Sequence, residues 1–186
     1  MKSNEILDII NPPNEIISIE HINDLVNDEK CLTLIERPFF LKIKWIIEEI
    51  CKNNIEGDIV CIGVFKGGAS LYLKSLFEEY GIHKKLWLID SFSGFNDKNT
   101  NHFKDNEALK QFSKQIKMSN FPTLNSVKEL FLKYQLYNNV NLIEGFLEDL
   151  VSKLTISKIA LLHIDVDFFE PTYLSLKSLY PKLSEG

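Results

Sequence analysis

The sequence has few cysteines, no long apolar run and no recognisable leader. Its three cysteines, Cys31, Cys51 and Cys61, are odd in number and lack CxxC or Cys/His ligand spacing. A disulfide framework or zinc site is therefore not expected, and reduced cytosolic thiols are the simpler interpretation. The N-terminus lacks a basic segment followed by an apolar one, so no signal peptide is recognised. Because no apolar stretch approaches the length of a membrane span, we expect a cytoplasmic protein with no membrane partner.

The charge balance is mildly acidic, with 26 acidic and 21 basic residues and a net charge of −5. The absence of a basic block argues against a nucleic-acid-binding surface. The length of 186 residues suits one domain with a hydrophobic core. Residues 1–34 are weakly patterned and broken by Pro12-Pro13, so we expect an N-terminal helical arm there. Residues 35–186 would then form the main domain.

Strands and helices alternate along that domain. Apolar spacing predicts strands over residues 58–62, 85–90, 140–144 and 159–165, and helices over 35–53, 68–80, 107–117, 123–137 and from 171 to about 183. Residues 91–106 are predicted to form a loop, and residues 145–154 a turn with a short helix. This alternation predicts an α/β fold, a parallel sheet with helices on both faces.

A glycine-rich turn follows the first strand. The apolar run breaks at Gly63, turns through Gly67 and Gly68, and enters a helical pattern at Ser70. Glycine allows a ligand to approach the backbone, and the N–H groups at a helix start can hold an anion. The spacing G-x-x-x-G-G is not the dinucleotide fingerprint and lacks the G-K-[ST] end of a P-loop. The turn is either a cofactor-binding corner or only a tight connection.

Asp90 closes the second strand, where a doubly wound fold places an acid against ribose hydroxyls. The alternative is that its carboxylate caps the next loop through the backbone N–H of Ser91 or Phe92. Together with the turn at Gly63, the position of Asp90 favours the ribose.

Two carboxylates follow the fourth strand. Asp165 and Asp167 would point to the same side if the strand continued, where they repel unless a cation, a proton or water intervenes. Such oxygen ligands suit magnesium. The alternative is a solvated strand end, with Asp167 helping to cap the last helix. If the strand pairing is regular, we expect His163 to face away from this pair. It would then be a satisfied core histidine, or one that supports the site from behind, rather than a ligand or a base.

Taken in order, these residues resemble the macrocin O-methyltransferase (TylF-type) family of S-adenosylmethionine-dependent class I methyltransferases. Residues 57–68 are similar to the family pattern G-D-x-V-E-x-G-V-x-[RK]-G-G, and residues 90–94 to D-S-F-x-G. Residues 145–149 resemble G-x-F-x-D-T, and residues 164–172 resemble L-D-x-D-x-Y-x-x-T. The resemblance covers residues 35–186 and implies a Rossmann-like class I methyltransferase sheet in an S-adenosylmethionine-binding domain.

The resemblance also implies roles for particular residues. Asp167 matches the general base for a sugar hydroxyl, and Asp165 matches a magnesium ligand. The acceptor would be a sugar or a glycosylated small molecule. The cofactor, S-adenosyl-L-methionine, would be bound by Gly63, Val64, Phe65, Gly67, Gly68, Ser70, Asp90, Ser91, Phe92, Gly145 and Phe146.

The sequence departs from the family pattern at two places. Cys61 stands where an acid is expected, and the chain ends at Gly186, before the strand whose Asp-Asp pair completes the metal site. We therefore expect an incomplete magnesium site and a sheet without its C-terminal strands. The apolar fourth strand would form an exposed edge that can pair with another chain, such as a second copy of this one in a homo-oligomer, or lead to aggregation. A non-catalytic cofactor-binding or interaction domain is the alternative function.

Overall fold

Four parallel strands form the sheet that the described part of the chain contains, in the order β3-β2-β1-β4. The structure is a computed structural model, and it describes Ser3 and residues 32–35, 37–95, 102–103, 105–107, 109–110 and 121–185. The strands are β1 (Asp58–Ile62), β2 (Leu86–Asp90), β3 (Val140–Glu144) and β4 (Ile159–Ile164). The chain crosses from one side of β1 to the other between β3 and β4. Ligands bind α/β sheets at such a reversal, beyond the carboxyl ends of the strands.

Helices cover the sheet on both faces. They are α1 (Arg37–Lys52), α2 (Gly68–Tyr80), α3 (Leu124–Lys133), the short α4 (Leu147–Leu150) and α5 (Phe169–Leu179), with 3₁₀ turns at Val151–Lys153 and Tyr180–Lys182. Residues 103, 105–107 and 109–110 are also helical. None of the helices described in the structure is long and apolar enough to cross a membrane.

The core has two layers because successive strand residues point to opposite faces. One face carries Ile59 and Leu88, which pack with buried residues of α1, α2 and α3. The other carries Val60 and Ile89, which pack against Leu147 and Leu179. Since both faces are covered, the strands read as nearly continuous apolar runs. The predicted α/β fold is therefore confirmed.

The predicted positions of β1 and β3 match the observed strands, and α2 ends as predicted. Gly81 follows α2 with a φ of 66° and donates its N–H to the carbonyl oxygen of Phe77. In α1, the residues Phe40, Ile43 and Ile47 are buried at helical spacing. Local patterning was sufficient for α1 because the residues buried in it lie on one face of the helix.

Several predicted boundaries are wrong. Helix α5 begins at Phe169 rather than at Pro171, because a distant carboxylate caps its start, as described below. Helix α3 ends at Lys133, four residues early, and Gln135 in the following turn has a φ of 58°. Residues 103 and 105–106 are helical where a loop was predicted.

Parts of the sequence-based predictions lie outside the described residues. These are the arm over residues 1–34, apart from Ser3 and residues 32–34, and the end of the helix predicted over 107–117. Strand β4 is an edge strand of the described sheet, as expected. The chain after α5 covers a small part of that edge, where the Ser184 N–H donates to the carbonyl oxygen of Ile159 at 2.8 Å.

Candidate functional site

A cavity of about 480 Å³ lies at the carboxyl ends of the strands, beside the reversal between β1 and β4. Residues that follow each of the four strands contribute to its wall, among them Gly63, Ser91, Gly145 and Asp165. Cavities of roughly 300–1,000 Å³ enclose ligands the size of a drug or a cofactor. The cavity is therefore large enough for a nucleoside-containing ligand.

The turn at Gly63 brings the ends of β1 and β4 together. Gly63 has a φ of +86°, and a Cβ added there would lie 2.0 Å from the carbonyl oxygen of Asp165. The Asp165 N–H donates to the carbonyl oxygen of Ile62 at 2.8 Å, and the Gly63 N–H donates to that of Ile89 at 2.9 Å. Only glycine fits both this φ and this contact.

The carboxylate of Asp90 lies on the cavity wall and binds three backbone N–H groups there. Its Oδ2 accepts the backbone N–H of Val64 at 2.7 Å and that of Phe65 at 3.0 Å. Its Oδ1 accepts the N–H of Phe92 at 2.9 Å. Phe65 and Phe92 have φ values of 51° and 47°, which are uncommon for residues with a side chain. Asp90 thus stabilises two strained residues on the cavity wall.

The loop-capping alternative for Asp90 is present in the structure, through the N–H of Phe92. A carboxylate offers about four acceptor positions, and Asp90 uses three of them on backbone N–H groups. One position on Oδ1 is left for a further donor. Capping and binding of a single ribose hydroxyl are therefore compatible.

Asp165, Asp167 and His163 all line the cavity. The expectation that His163 faces away from the two aspartates is wrong, because His163 lines the same cavity and lies close enough to Asp165 for its charge to act on the imidazole. The His163 ring lies 5.2 Å from that of Phe39. Burial lowers the pKa of His163, an effect that the Asp165 carboxylate opposes. The imidazole is thus held mainly neutral at pH 7.

The carboxyl group of Asp167 is poised to hold a proton more readily than an ordinary aspartate. Desolvation on the cavity wall raises its pKa, and the carboxylates of Asp165 and Asp90 raise it further. Both effects disfavour the charged form. A carboxylate with a raised pKa is a stronger base than an unperturbed one.

Asp105 is a cavity residue that the sequence analysis missed. It is only 2% exposed, and its two carboxylate oxygens accept the backbone N–H groups of Phe169 at 2.7 Å and Glu170 at 2.9 Å. Asp105, rather than Asp167, therefore caps α5. Nothing in the local sequence marks this residue, because its partners lie 64 and 65 positions along the chain.

Two predicted cofactor residues, Gly67 and Gly68, do not line the cavity. The Gly68 N–H donates to the carbonyl oxygen of Leu32 at 2.9 Å, and a Cβ on Gly68 would lie 2.6 Å from that oxygen. A Cβ on Gly67 would lie 3.0 Å from the side chain of Val127. Close packing accounts for Gly68, whereas Gly67 has a φ of +85° in addition to its contact with Val127. The structure brings the other predicted residues together on the cavity wall: Gly63, Val64, Phe65, Ser70, Asp90, Ser91, Phe92, Gly145, Phe146, Asp165 and Asp167.

Cys61, at the position where an acid was expected, also lines the cavity. Its thiol is 2% exposed and is hydrogen-bonded to the Ser70 side chain, and burial raises its pKa to about 12. The thiol is therefore neutral at pH 7 and brings no negative charge to this part of the wall. Cys51 and Cys61 are both free thiols.

Carboxylates dominate the charge of the cavity. No lysine or arginine is found among the described lining residues, whereas six acids are: Asp90, Asp105, Glu148, Asp165, Asp167 and Glu170. A cleft lined by charge of one sign focuses the field and concentrates ligands of the opposite sign. The cavity thus favours a cationic ligand and disfavours one that carries phosphates.

The described residues do not form a metal site. Within residues 32–35, 37–95 and 121–185 and the few described between them, no group of three or more His, Cys, Asp or Glu side chains is placed to hold a metal ion. A magnesium ion takes about six oxygen ligands, several of them waters. Asp165 and Asp167 alone do not meet this requirement.

Together, the strand order, the glycine turn and the acid at the end of β2 define a Rossmann-like methyltransferase fold. The family model described as "Macrocin-O-methyltransferase (TylF)" matches residues 26–186. The chain therefore belongs to the TylF macrocin O-methyltransferase family, as the sequence motifs indicated.

Named relatives share part of this sequence. The chain is 28% identical over 148 residues to a demethyldecarbamoylnovobiocin O-methyltransferase from Streptomyces niveus, a match that covers 77% of this chain and 55% of the relative. It is 27% identical over 159 residues to a mycinamicin III 3''-O-methyltransferase from Micromonospora griseorubida, covering 83% of this chain and 61% of the relative. The chain thus spans less than two thirds of these relatives.

Solved structures share the fold. The O-methyltransferase NovP superposes with a TM-score of 0.81 at 23% identity, covering 99% of this chain and 79% of NovP. The calicheamicin methyltransferase CalS11 superposes with a TM-score of 0.58 at 18% identity, covering 97% of this chain and 72% of CalS11. At these identities the likeness establishes the fold alone.

Proposed function

We propose that this protein is an S-adenosylmethionine-dependent O-methyltransferase, or the cofactor-binding part of one, that acts on a hydroxyl of a sugar or glycosylated small molecule. The observation that carries the proposal is the cavity lined by six carboxylates and no described lysine or arginine, at the carboxyl ends of β1 and β4. S-adenosylmethionine joins an adenosine to a cationic sulfonium, which complements this charge. The family membership and the named relatives support the acceptor class.

The residues around β1 and β2 fit the cofactor. Gly63 lines the cavity beside Val64 and Phe65, and Asp90 keeps one acceptor position for a ribose hydroxyl. Ser91 and Phe92 would lie near the adenine, and Gly145 and Phe146 close the wall beyond β3. When bound, S-adenosylmethionine supplies an electrophilic methyl group on sulfur.

Asp167 is proposed as the general base for the acceptor. Its carboxylate would take the proton of the acceptor hydroxyl as the oxygen bonds to the methyl carbon and the carbon–sulfur bond breaks, with the electron pair left on sulfur. The direction of its pKa shift supports this role, because it makes the carboxylate a better proton acceptor. His163, largely neutral, can accept or donate a hydrogen bond beside it.

Magnesium has no step in this mechanism, because the described residues do not assemble a metal site. Asp165 would supply one ligand if groups beyond the described residues completed such a site. A cytoplasmic location is proposed from the number and spacing of the three cysteines, which are not those of a disulfide framework.

A second candidate function is a non-catalytic cofactor-binding or interaction domain that keeps the fold. Two observations favour it: the neutral thiol of Cys61 at the position of the expected acid, and the lack of a metal-binding group among the described residues. Such a domain would still bind S-adenosylmethionine but would transfer no methyl group.

A methyl-transfer assay separates the two functions. The protein is incubated with methyl-labelled S-adenosylmethionine and either a glycosylated small molecule or its aglycone. We expect label only in the glycoside, and a roughly 100-fold lower rate with Asp167→Asn, the order lost with a general base. Cofactor binding without transfer to any glycoside would favour the non-catalytic domain. An unchanged rate with Asp167→Asn would overturn the assignment of the base.

A further inference from the structure

Asp105 joins two parts of the cavity wall that are distant in the sequence. The residue is buried and itself lines the cavity. Its carboxylate accepts the N–H groups of Phe169 and Glu170, the first two residues of α5. The first four N–H groups of a helix have no partner within the helix. Asp105 satisfies two of them, and its negative charge lies at the positive end of the helix dipole.

This cap differs from an ordinary helix cap in its origin. The residue that precedes α5, Phe168, provides no side-chain hydrogen bond to the helix start. A serine, threonine or aspartate at that position would satisfy the helix locally. The cap instead comes from a separate segment on the cavity wall, so one carboxylate connects that segment to α5.

The turn between β4 and α5 is anchored at both ends. At its start, the Asp165 N–H donates to the carbonyl oxygen of Ile62. At its end, Phe168 is buried and its ring lies 4.8 Å from that of Phe95, and the next two N–H groups are bound by Asp105. Asp167 lies between these anchors and lines the same cavity. A loss of the second anchor would free one side of the turn that carries Asp167.

We propose that Asp105 is a positioning residue: by binding the first N–H groups of α5 it holds the turn that presents Asp167 to the acceptor. The inference rests on the proposed function, in which Asp167 is the base. Asp105 does not touch the reacting atoms. It acts through the backbone of Phe169 and Glu170.

Asp105→Ala tests the proposal, with Asp58→Ala as a matched control. The carboxylate of Asp58 also accepts two hydrogen bonds, from Trp87 Nε1 at 2.9 Å and from the backbone N–H of Lys85 at 3.4 Å. Asp58 lies at the opposite end of the sheet, at the start of β1. We expect Asp105→Ala to speed amide exchange at least about tenfold at Phe169, Glu170 and Asp165. We expect kcat to fall at least about tenfold and the KM for S-adenosylmethionine to change less than about threefold. Asp58→Ala should show neither effect.

Asp105→Asn provides a second variant if the alanine variant does not fold. Its amide oxygen can accept one of the two N–H groups, so we expect partial rescue of both amide protection and kcat. The positioning role would be overturned if the Asp105 variants showed faster amide exchange only at Phe169 and Glu170 and a kcat no lower than that of Asp58→Ala. Asp105 would then be a helix cap without an effect on the turn. If the unsubstituted protein transfers no methyl group, the proposed function fails. Asp165 exchange still decides whether Asp105 holds the turn.

Discussion

Gly63 and Asp165 touch backbone to backbone: a Cβ added to Gly63 would lie 2.0 Å from the carbonyl oxygen of Asp165. The contact joins the glycine turn after β1 to the carboxylate pair after β4, which are about a hundred positions apart in the sequence but meet at the reversal of the sheet. The glycine turn is therefore in direct backbone contact with the segment that carries the proposed base, Asp167. A substitution in the glycine turn should therefore also affect the segment around Asp165, and a substitution at Asp165 should affect the glycine turn.

Gly63→Ala should strongly destabilise the protein. The substitution adds a Cβ that overlaps the Asp165 carbonyl oxygen, at a φ of +86°, so we expect a loss of about 3 kcal/mol or more in the free energy of unfolding. Gly81→Ala is the control, because Gly81 also has a positive φ, +66°, but nothing lies within 4 Å of its added Cβ. Its cost should be about 1 kcal/mol. Urea unfolding measures both, and equal costs would show that the contact with Asp165 is unimportant.

Asp90→Ala should weaken both the fold and cofactor binding. Three backbone N–H groups lose their acceptor, and each hydrogen bond to a charged group contributes about 1.5–3 kcal/mol. We expect S-adenosylmethionine affinity, measured by calorimetry on the folded variant, to fall at least about tenfold. Asp58→Ala, which loses the hydrogen bond from Trp87 Nε1 at the far end of the sheet, should bind the cofactor normally. Unchanged affinity in Asp90→Ala would contradict the ribose assignment.

Stability should fall as the pH rises from about 9 to 12. Burial raises the pKa of Cys61 to about 12 from 9.0, and burial followed by the charges of Glu79 and Glu48 raises that of Tyr72 to about 12 from 10.0. In this window the unfolded chain has lost protons that the folded chain keeps, so unfolding becomes easier with rising pH. Each group contributes a slope of at most about 1.4 kcal/mol per pH unit.

Urea unfolding between pH 8 and 11 tests this dependence. Cys61→Ala should show a shallower decline above pH 9, and Tyr72→Phe a shallower decline above pH 10. The same slope in both variants as in the unsubstituted protein would mean that neither group stays protonated in the folded state.

Phosphate groups should reduce ligand affinity. The cavity carries six carboxylates and no described lysine or arginine, so adenosine 5′-monophosphate should bind at least about tenfold more weakly than adenosine at low salt. The difference in affinity between adenosine and its monophosphate should become smaller at about 0.5 M salt, because charges are then screened over a few ångströms. Competition against S-adenosylmethionine measures both affinities. Equal or tighter binding of the monophosphate would count against the charge argument and favour a phosphate-bearing cofactor.

Local sequence patterns were enough to predict most of the fold and much of the candidate site. Strand β1 and helix α2 follow from an apolar run, a glycine turn and Gly81, all within one stretch of chain. The residues that follow the strands, such as Gly63 and Asp90, were predicted to lie together because the carboxyl ends of parallel strands meet at one edge of the sheet.

Contacts between distant segments escaped prediction. The need for glycine at position 68 comes from the carbonyl oxygen of Leu32, and the start of α5 depends on Asp105, neither of which is visible in the local pattern. The predicted orientation of His163 was wrong for a different reason. A two-residue alternation that continues past the strand places His163 on the same side as Asp165, but the prediction assigned it to the opposite side.

Calorimetric titration of S-adenosylmethionine into the unsubstituted protein, with and without magnesium, tests the central claim most directly. We predict saturable binding at one site, with an affinity that magnesium leaves unchanged because the described carboxylates form no metal site. An affinity that rises with magnesium would show that further groups complete a metal site at Asp165. Absence of binding by both S-adenosylmethionine and its demethylated product would contradict the cofactor assignment, and with it the proposed function.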